Sequence, residues 1–312
     1  EGRFDDAALD ATEMLALADA QAQPALKVQA LTRQAWVLMR LGQNKRALFF
    51  AEQAVALADA NRSHPLLSRS LLCAAEAQLR AAHPEAAVAT AEQAAAFFEA
   101  AGDSVGHGRA QWLIAFAQTR LSRNEASRSA AQRAVELARR ADDGYGLANA
   151  LNVLSFSSTD IAERMSLLRQ AASAFERAGY LYGQMNVVGN LSSAFADLGL
   201  WRHACRLGEL CIGAAERIGA RLTLALQMGP VLMWHIELGD AAGVVGRQIV
   251  VHARVVQGHA LIGPVDRVEG LQHAFVAGGL LERVGAVAAL RPEVAAHEQR
   301  DLRRAELGDQ VG

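Results

Sequence analysis

The chain has almost no lysine: Lys27 and Lys45 are the only two among 312 residues. A phosphate-binding loop needs Gly-Lys-Ser/Thr, and neither lysine follows a glycine, so that site is excluded. An excess of positive charge is missing too. The net charge is −2 with a pI near 6.6, which argues against a nucleic-acid partner that needs a broad basic face. Cysteine is scarce, and Cys73, Cys205 and Cys211 form no metal-ligand spacing. Cys205 and Cys211 stand six apart and point about 120° away from each other on a helix. They read as buried small hydrophobes, and an odd count fits a reducing compartment. The most apolar stretch, Leu222 to Ile236, is interrupted by Gln227, Gly229 and Pro230 and is too short to span a bilayer. No signal segment opens the chain. The expectation is a cytoplasmic protein without a membrane partner.

Catalytic signatures are equally absent. His297-Glu298 lacks the second histidine of a zinc-protease helix. No Gly-x-Ser-x-Gly elbow occurs, and Gly278-Gly279 lies in no strand-turn-helix context. His235 and Glu237 would diverge by about 200° on a helix, and His203 near Cys205 reads as ordinary surface and core. No enzyme activity, metal or cofactor is expected.

What the chain does have is alanine, periodicity and apolar residues, 52% of the total against 5% aromatic. Alanine has the best helix propensity and lets backbones approach, which suits closely packed helices. Ala51-Glu52-Gln53-Ala54 recurs 40 residues on as Ala91-Glu92-Gln93-Ala94, and again in altered form as Ala131-Gln132-Arg133-Ala134. A fixed step of this size signals a solenoid whose units are stable only when stacked. The bend between two helices falls at Gly2, Gly42, Ala82, Ser122, about Thr159, Gly199, Gly239 and Gly279, the fifth unit being three residues short. Seven residues before the bend lie Ala35, Ala75, Ala115 and Ser192. Five after it come Ala7, Ala47, Ala87 and Ala204, and twelve after it Ala54, Ala94, Ala134 and Cys211. Small residues recur where the helices of a hairpin cross, while Leu31, Leu38 and Leu41 fill the stripe between units. Gly102, Gly179 and Gly219 are placed as left-handed caps ending second helices, and Ser63 as an N-cap with Pro65 in the first turn.

This pattern, with "LG" at Leu41-Gly42, Leu198-Gly199 and Leu238-Gly239, resembles the tetratricopeptide repeat (TPR) family over most of residues 2 to 257. The family's 34-residue period and closing proline are absent. The longer step resembles the TPR variety in the regulatory regions of maltose-regulator-type bacterial activators, and the helical tails of some bacterial nucleotide cyclases and signalling ATPases. The resemblance implies an all-α, right-handed α-solenoid of about seven helix pairs plus an opening half-pair. Residues 1–257 form the solenoid. Residues 258–312 are expected to hold a degenerate terminal repeat and a solvated helix, Glu293 to Glu306, after a loop around Gln257 to Pro264. Gly229-Pro230 is expected to kink its helix. The chain opens on Glu1 inside a repeat, which reads as a piece of a longer protein.

The leading functional signal is a ladder. Arg40, Arg80 and Arg120 stand 40 apart, sharing a face with Gln29, Trp36, Arg69, Glu76, Arg109 and Phe116, with Trp112 nearby. In TPR arrays this helix lines the concave groove, so the resemblance implies that such residues hold a peptide or partner helix. Arginines alternating with aromatics fit an acidic segment through bidentate carboxylate contacts and stacking. Two readings of the ladder stand side by side, because a cation in the last helical turn also gains ~0.3–1 kcal/mol from the helix dipole. Trp36, Trp112 and Phe116 equally suit packing between repeats, and Asn149 and Asn186 are minor candidates. Reversing all three ladder arginines to glutamate is expected to abolish binding without unfolding the array. The expected function is a non-catalytic protein-interaction scaffold. The alternatives are a signal-sensing segment of a larger activator, cyclase or ATPase, and a self-associating scaffold.

Overall fold

The computed structural model describes residues 4–218 and 220–240. Among them are twelve helices and no strand: α1 (Phe4–Ala20), α2 (Pro24–Arg40), α3 (Asn44–Ala60), α4 (His64–Arg80), α5 (Pro84–Ala100), α6 (Ser104–Arg120), α7 (Asn124–Arg140), α8 (Gly144–Phe156), α9 (Ile161–Arg177), α10 (Leu181–Asp197), α11 (Trp201–Ile218) and α12 (Arg221–Glu237). The first of two compact units ends at Gln227, within α12, and everything below belongs to it unless α12 is named. The expected bend at Gly2, the cap at Gly219, the boundary near residue 257, the loop after it, the unit at Gly279 and the terminal helix lie outside the described residues.

The stride is finer than the 40-residue repeat. Helices α2 to α8 start at residues 24, 44, 64, 84, 104, 124 and 144, each 20 after the last. From α1 to α7 every helix therefore has 17 residues, and each bend up to α8 is a three-residue turn. Each turn through residue 142 carries one left-handed residue, at Ala22, Gly42, Arg62, Ala82, Gly102, Ser122 and Asp142, and the pattern resumes at Gly179, Gly199 and Gly239. The next amide bonds back to the carbonyl five before it, as from Gln43 to Leu38, His83 to Gln78 and Arg123 to Gln118, each at 2.9 Å. This is the Schellman closure, which satisfies the last carbonyls of each helix. The short fifth unit arises because α8 has 13 residues instead of 17. The bend expected near Thr159 is made without a left-handed residue. Ser63 stands at the N-cap of α4, but its hydroxyl makes no capping bond. The side-chain caps are instead Asp103, accepting from Gly106 N, and Asp160, accepting from Ala162 N. α12 continues through Gly229 and Pro230.

Each helix packs first on its chain neighbours. Beyond that, α2, α4, α6, α8 and α10 touch one another in succession, so these five form the inner layer. The small residues at the hairpin crossings are sealed: Ala35, Ala75, Ala115 and Ser192 are all at 0% exposure, and Ala47, Ala87 and Ala204 at 1% or less. At one crossing the Ser192 hydroxyl donates to the Ala204 carbonyl at 2.7 Å. Only a small side chain leaves room for helix backbones this close. Ala47→Leu or Ala87→Leu is accordingly expected to cost about 1–3 kcal/mol through overpacking, read as a lower midpoint in thermal melts at unchanged helical signal.

Candidate binding cleft

On the inner layer, α2, α4, α6 and α8 enclose a cleft of about 330 Å³, at the small end of ligand-binding cavities. Its walls include Trp36 from α2, Arg69 and Glu76 from α4, Arg109 and Trp112 from α6, and Tyr145 from α8. The step of 40 explains the assembly, since equivalent places on successive inner helices fall side by side.

The arginine ladder divides into three environments. Arg40 is 2% exposed, its Nη1 donating to Glu76 Oε1 at 2.9 Å. Arg80 is half-buried and donates Nε and Nη2 to the same oxygen at 3.0 and 2.9 Å. Arg120 is exposed and has no ion-pair partner among the described residues. Burial alone would raise the Glu76 carboxyl, but the charges of Arg40 and Arg80 and the bonds from them outweigh it and hold it down to about 2. Burial likewise works against the Arg40 cation, and Glu76 outweighs it, so Arg40 is held charged. Reversing Arg40 would bury a second carboxylate against Glu76. The triple reversal expected to spare the fold would therefore break it.

Arg40 also joins helices far apart in the chain. Its guanidinium lies 4.5 Å from the Trp36 ring centre and 5.2 Å from that of Tyr182, on α10. Trp36 and Leu41 pack against the Tyr182, Met185 and Cys211 cluster. The inner layer thus curls until α2 meets α10. All three tyrosines of the chain gather there, Tyr145 and Tyr180 with ring centres 4.9 Å apart and Tyr180 and Tyr182 6.3 Å apart.

Arg109 forms a bidentate pair with Asp143, Nε to Oδ2 at 2.9 Å and Nη2 to Oδ1 at 3.0 Å, and lies 5.1 Å from the Tyr145 ring centre. Burial raises the Asp143 carboxyl, and the bond from Arg109 with the Gly146 amide more than reverses this, leaving it lowered. Arg69 occupies the equivalent place one repeat earlier, but it is exposed and has no ion-pair partner among the described residues. Asp103, the counterpart of Asp143, accepts from Gly106 N instead. Trp112 is 7% exposed and its indole N–H meets no acceptor among the described residues. A buried donor in that state costs roughly 1–3 kcal/mol. Phe116 sits outside the cleft, stacked on Phe156 with ring centres 6.5 Å apart. Asn149 donates to the Tyr145 carbonyl and Asn186 accepts from Thr223, so both amides are engaged.

Tyr145, Tyr180, Tyr182 and Asp143 are not among the residues the sequence pattern singles out. A signal for Asp143 was present: Arg40 to Glu76 spans 36 residues and Arg109 to Asp143 spans 34, about one repeat less one or two turns. Opposite charges at that spacing face each other across adjacent inner helices.

Cys73 borders the cleft, where burial pushes its thiol up to about 12, and burial takes Cys211 to the same value. The nucleophile is the thiolate. Neither thiol is therefore expected to react with a disulfide reagent at pH 7.5 until the chain unfolds, and labelling followed by peptide mass analysis checks this. Among the described residues no group of three His, Cys, Asp or Glu is arranged to hold a metal. No described helix is long and apolar enough to cross a membrane.

No family model matches the chain, and no curated protein matches it in sequence. Solved structures do match. A Rap protein complexed with competence and sporulation factor is 15% identical, covering 92% of this chain and 80% of its own, with a TM-score of 0.65. A signal transduction ATPase with numerous domains and a tetratricopeptide repeat sensor, from Pyrococcus horikoshii, is 14% identical over 91% of this chain and 42% of its own, at 0.57. Aspartyl phosphate phosphatase F from Bacillus subtilis is 12% identical over 89% and 74%, at 0.56. At these identities the likeness establishes the fold, a TPR-like α-solenoid.

Proposed function

We propose that the chain is a non-catalytic interaction module that receives a peptide or partner helix along its inner layer, between α2 and α8. The observation that carries this is Arg69, an exposed cation without a counter-ion among the described residues, in a cleft walled by Trp36, Trp112 and Tyr145. The other charges lining the cleft are paired in place, Glu76 with Arg40 and Arg80, and Arg109 with Asp143. A free guanidinium among aromatic faces favours acidic segments, which it binds through charge-assisted bonds. The Rap protein of similar fold, complexed with its factor, supports the use of such a scaffold for capture. Three buried free thiols support a cytoplasmic setting.

A second reading is a sensor segment of a larger regulator, of the maltose-regulator or signalling-ATPase kind. It is favoured by the Pyrococcus protein, whose name includes a repeat sensor and of which the match covers 42%.

Panning a random dodecapeptide display library on the chain tests the first reading. Selected peptides are expected to bind at least about tenfold more weakly to Arg69→Glu/Arg120→Glu, two exposed inner-helix positions, and equally well to Arg133→Glu on the outer helix α7. An absence of binders, or binders sensitive only to Arg133→Glu, would overturn it.

A further inference from the structure

From the chemistry of the cleft walls we infer that the site between Trp36 and Trp112 reads one acidic side chain standing beside an aromatic one; this rests on the inner layer being the partner surface.

The size comes first. A cleft of about 330 Å³ is too small for a folded element and suits about two side chains of an extended segment. The charge follows. Two cations, Arg69 and Arg109, and one carboxylate, Glu76, line the cleft; Arg40 and Arg80 pair with Glu76, and Asp143 pairs with Arg109. The excess is positive, and both acids already accept from guanidinium groups. A lysine or arginine brought by the ligand would find Glu76 already paired with two arginines and would meet Arg69. A carboxylate would meet a guanidinium whose donors are unoccupied.

The walls decide the neighbour. Trp36 and Trp112 present indole surfaces and Tyr145 a phenol ring, with Leu72 and Leu113 between them. Arg40 already lies over Trp36, and Arg109 over Tyr145, so these rings are held at fixed places by cation–π contact. An aromatic ring from the ligand gains edge or stacked contact with them. An aliphatic side chain would fill the volume without those contacts.

The probe is N-acetyl-Phe-Asp-amide, compared with the Phe-Asn, Phe-Lys and Ala-Asp analogues. The readout is the indole N–H resonances in a ¹⁵N-labelled chain, which has four tryptophans, Trp36, Trp112, Trp201 and Trp234. Phe-Asp is expected to shift Trp36 and Trp112 and leave Trp201 and Trp234 in place, at concentrations at least about tenfold below those needed for any analogue. Arg69→Gln, an exposed change that leaves the melt unaltered, is expected to remove the preference for Asp over Asn. Equal binding of Phe-Asn, tighter binding of Phe-Lys, or a preference surviving in Arg69→Gln would overturn the inference. Library peptides that bind the inner layer while Phe-Asp moves neither indole would overturn it alone and leave the interaction function standing. A library without binders would remove both.

Discussion

Arg40→Met destabilises the first unit by about 3–5 kcal/mol, because it leaves Glu76 charged and buried with only the half-buried Arg80 to pair it. Urea melts measure the loss. The double variant Arg40→Met/Glu76→Leu is expected to recover most of it, since removing both buried charges removes their desolvation cost as well. The effect also reaches further than a repeat stack ordinarily allows. In a linear solenoid each unit contacts only its neighbours, so a lesion in α2 loosens the N-terminal end. Here Arg40 also lies on Tyr182, so amide exchange is expected to speed up in α10 as well as in α2 and α4. Faster exchange confined to α2 and α4 would mean that the contact with α10 carries no energy.

The same pair fixes an acid limb. The Glu76 carboxyl is lowered from 4.5 to about 2. A carboxyl held down contributes stability that is complete above its unfolded value and is lost as pH falls through the folded one. The wild type is therefore expected to lose up to roughly 3 kcal/mol between about pH 4.5 and pH 2 from this group. Glu76→Gln is expected to be weaker at neutral pH and flatter across that window.

Much of the architecture was legible because a one-dimensional stack writes itself into the sequence as a stride. Ala35, Ala75 and Ala115 recur at 40 and are sealed at 0% exposure, as their size requires. The shortened fifth unit and the bends at Gly42, Ala82 and Ser122 were legible for the same reason. The site was legible as a set of residues and not as a geometry. Arg40, Arg80 and Arg120 look alike in sequence, yet only the first has Glu76 36 residues on and Tyr182 across the curl. How far the stack curls is set by small rotations summed over successive units. No local spacing records that sum, which is why the meeting of α2 with α10, and the tyrosines gathered there, could not be read in advance.

A second large effect is expected at the joint between each outer helix and the inner helix that follows it. Across four of these bends, residues eight apart trade size: Ala18 with Leu26, Ala58 with Leu66, Phe98 with Gly106 and Phe175 with Gly183; Ala138 with Gly146 and Ile218 with Leu226 do not. Phe98 and Phe175 are buried at 4% and 2% exposure. A Cβ on Gly183 would stand 2.5 Å from the Phe175 ring, and one on Gly106 would enter the Phe98 ring. The glycines are there because the ring takes the space that leucine fills in the earlier units. Phe98→Ala is expected to cost about 3–5 kcal/mol by opening a cavity. Gly106→Leu is expected to cost about 1–3 kcal/mol or more by overpacking, despite the better helix propensity of leucine. Together the two changes recreate the Ala58 and Leu66 arrangement. The double variant is thus expected to melt near the wild type, with a favourable coupling of at least about 3 kcal/mol in the cycle. Costs that simply add would show that the eight-residue pairs do not share one volume, and the size exchange between units would then be coincidence.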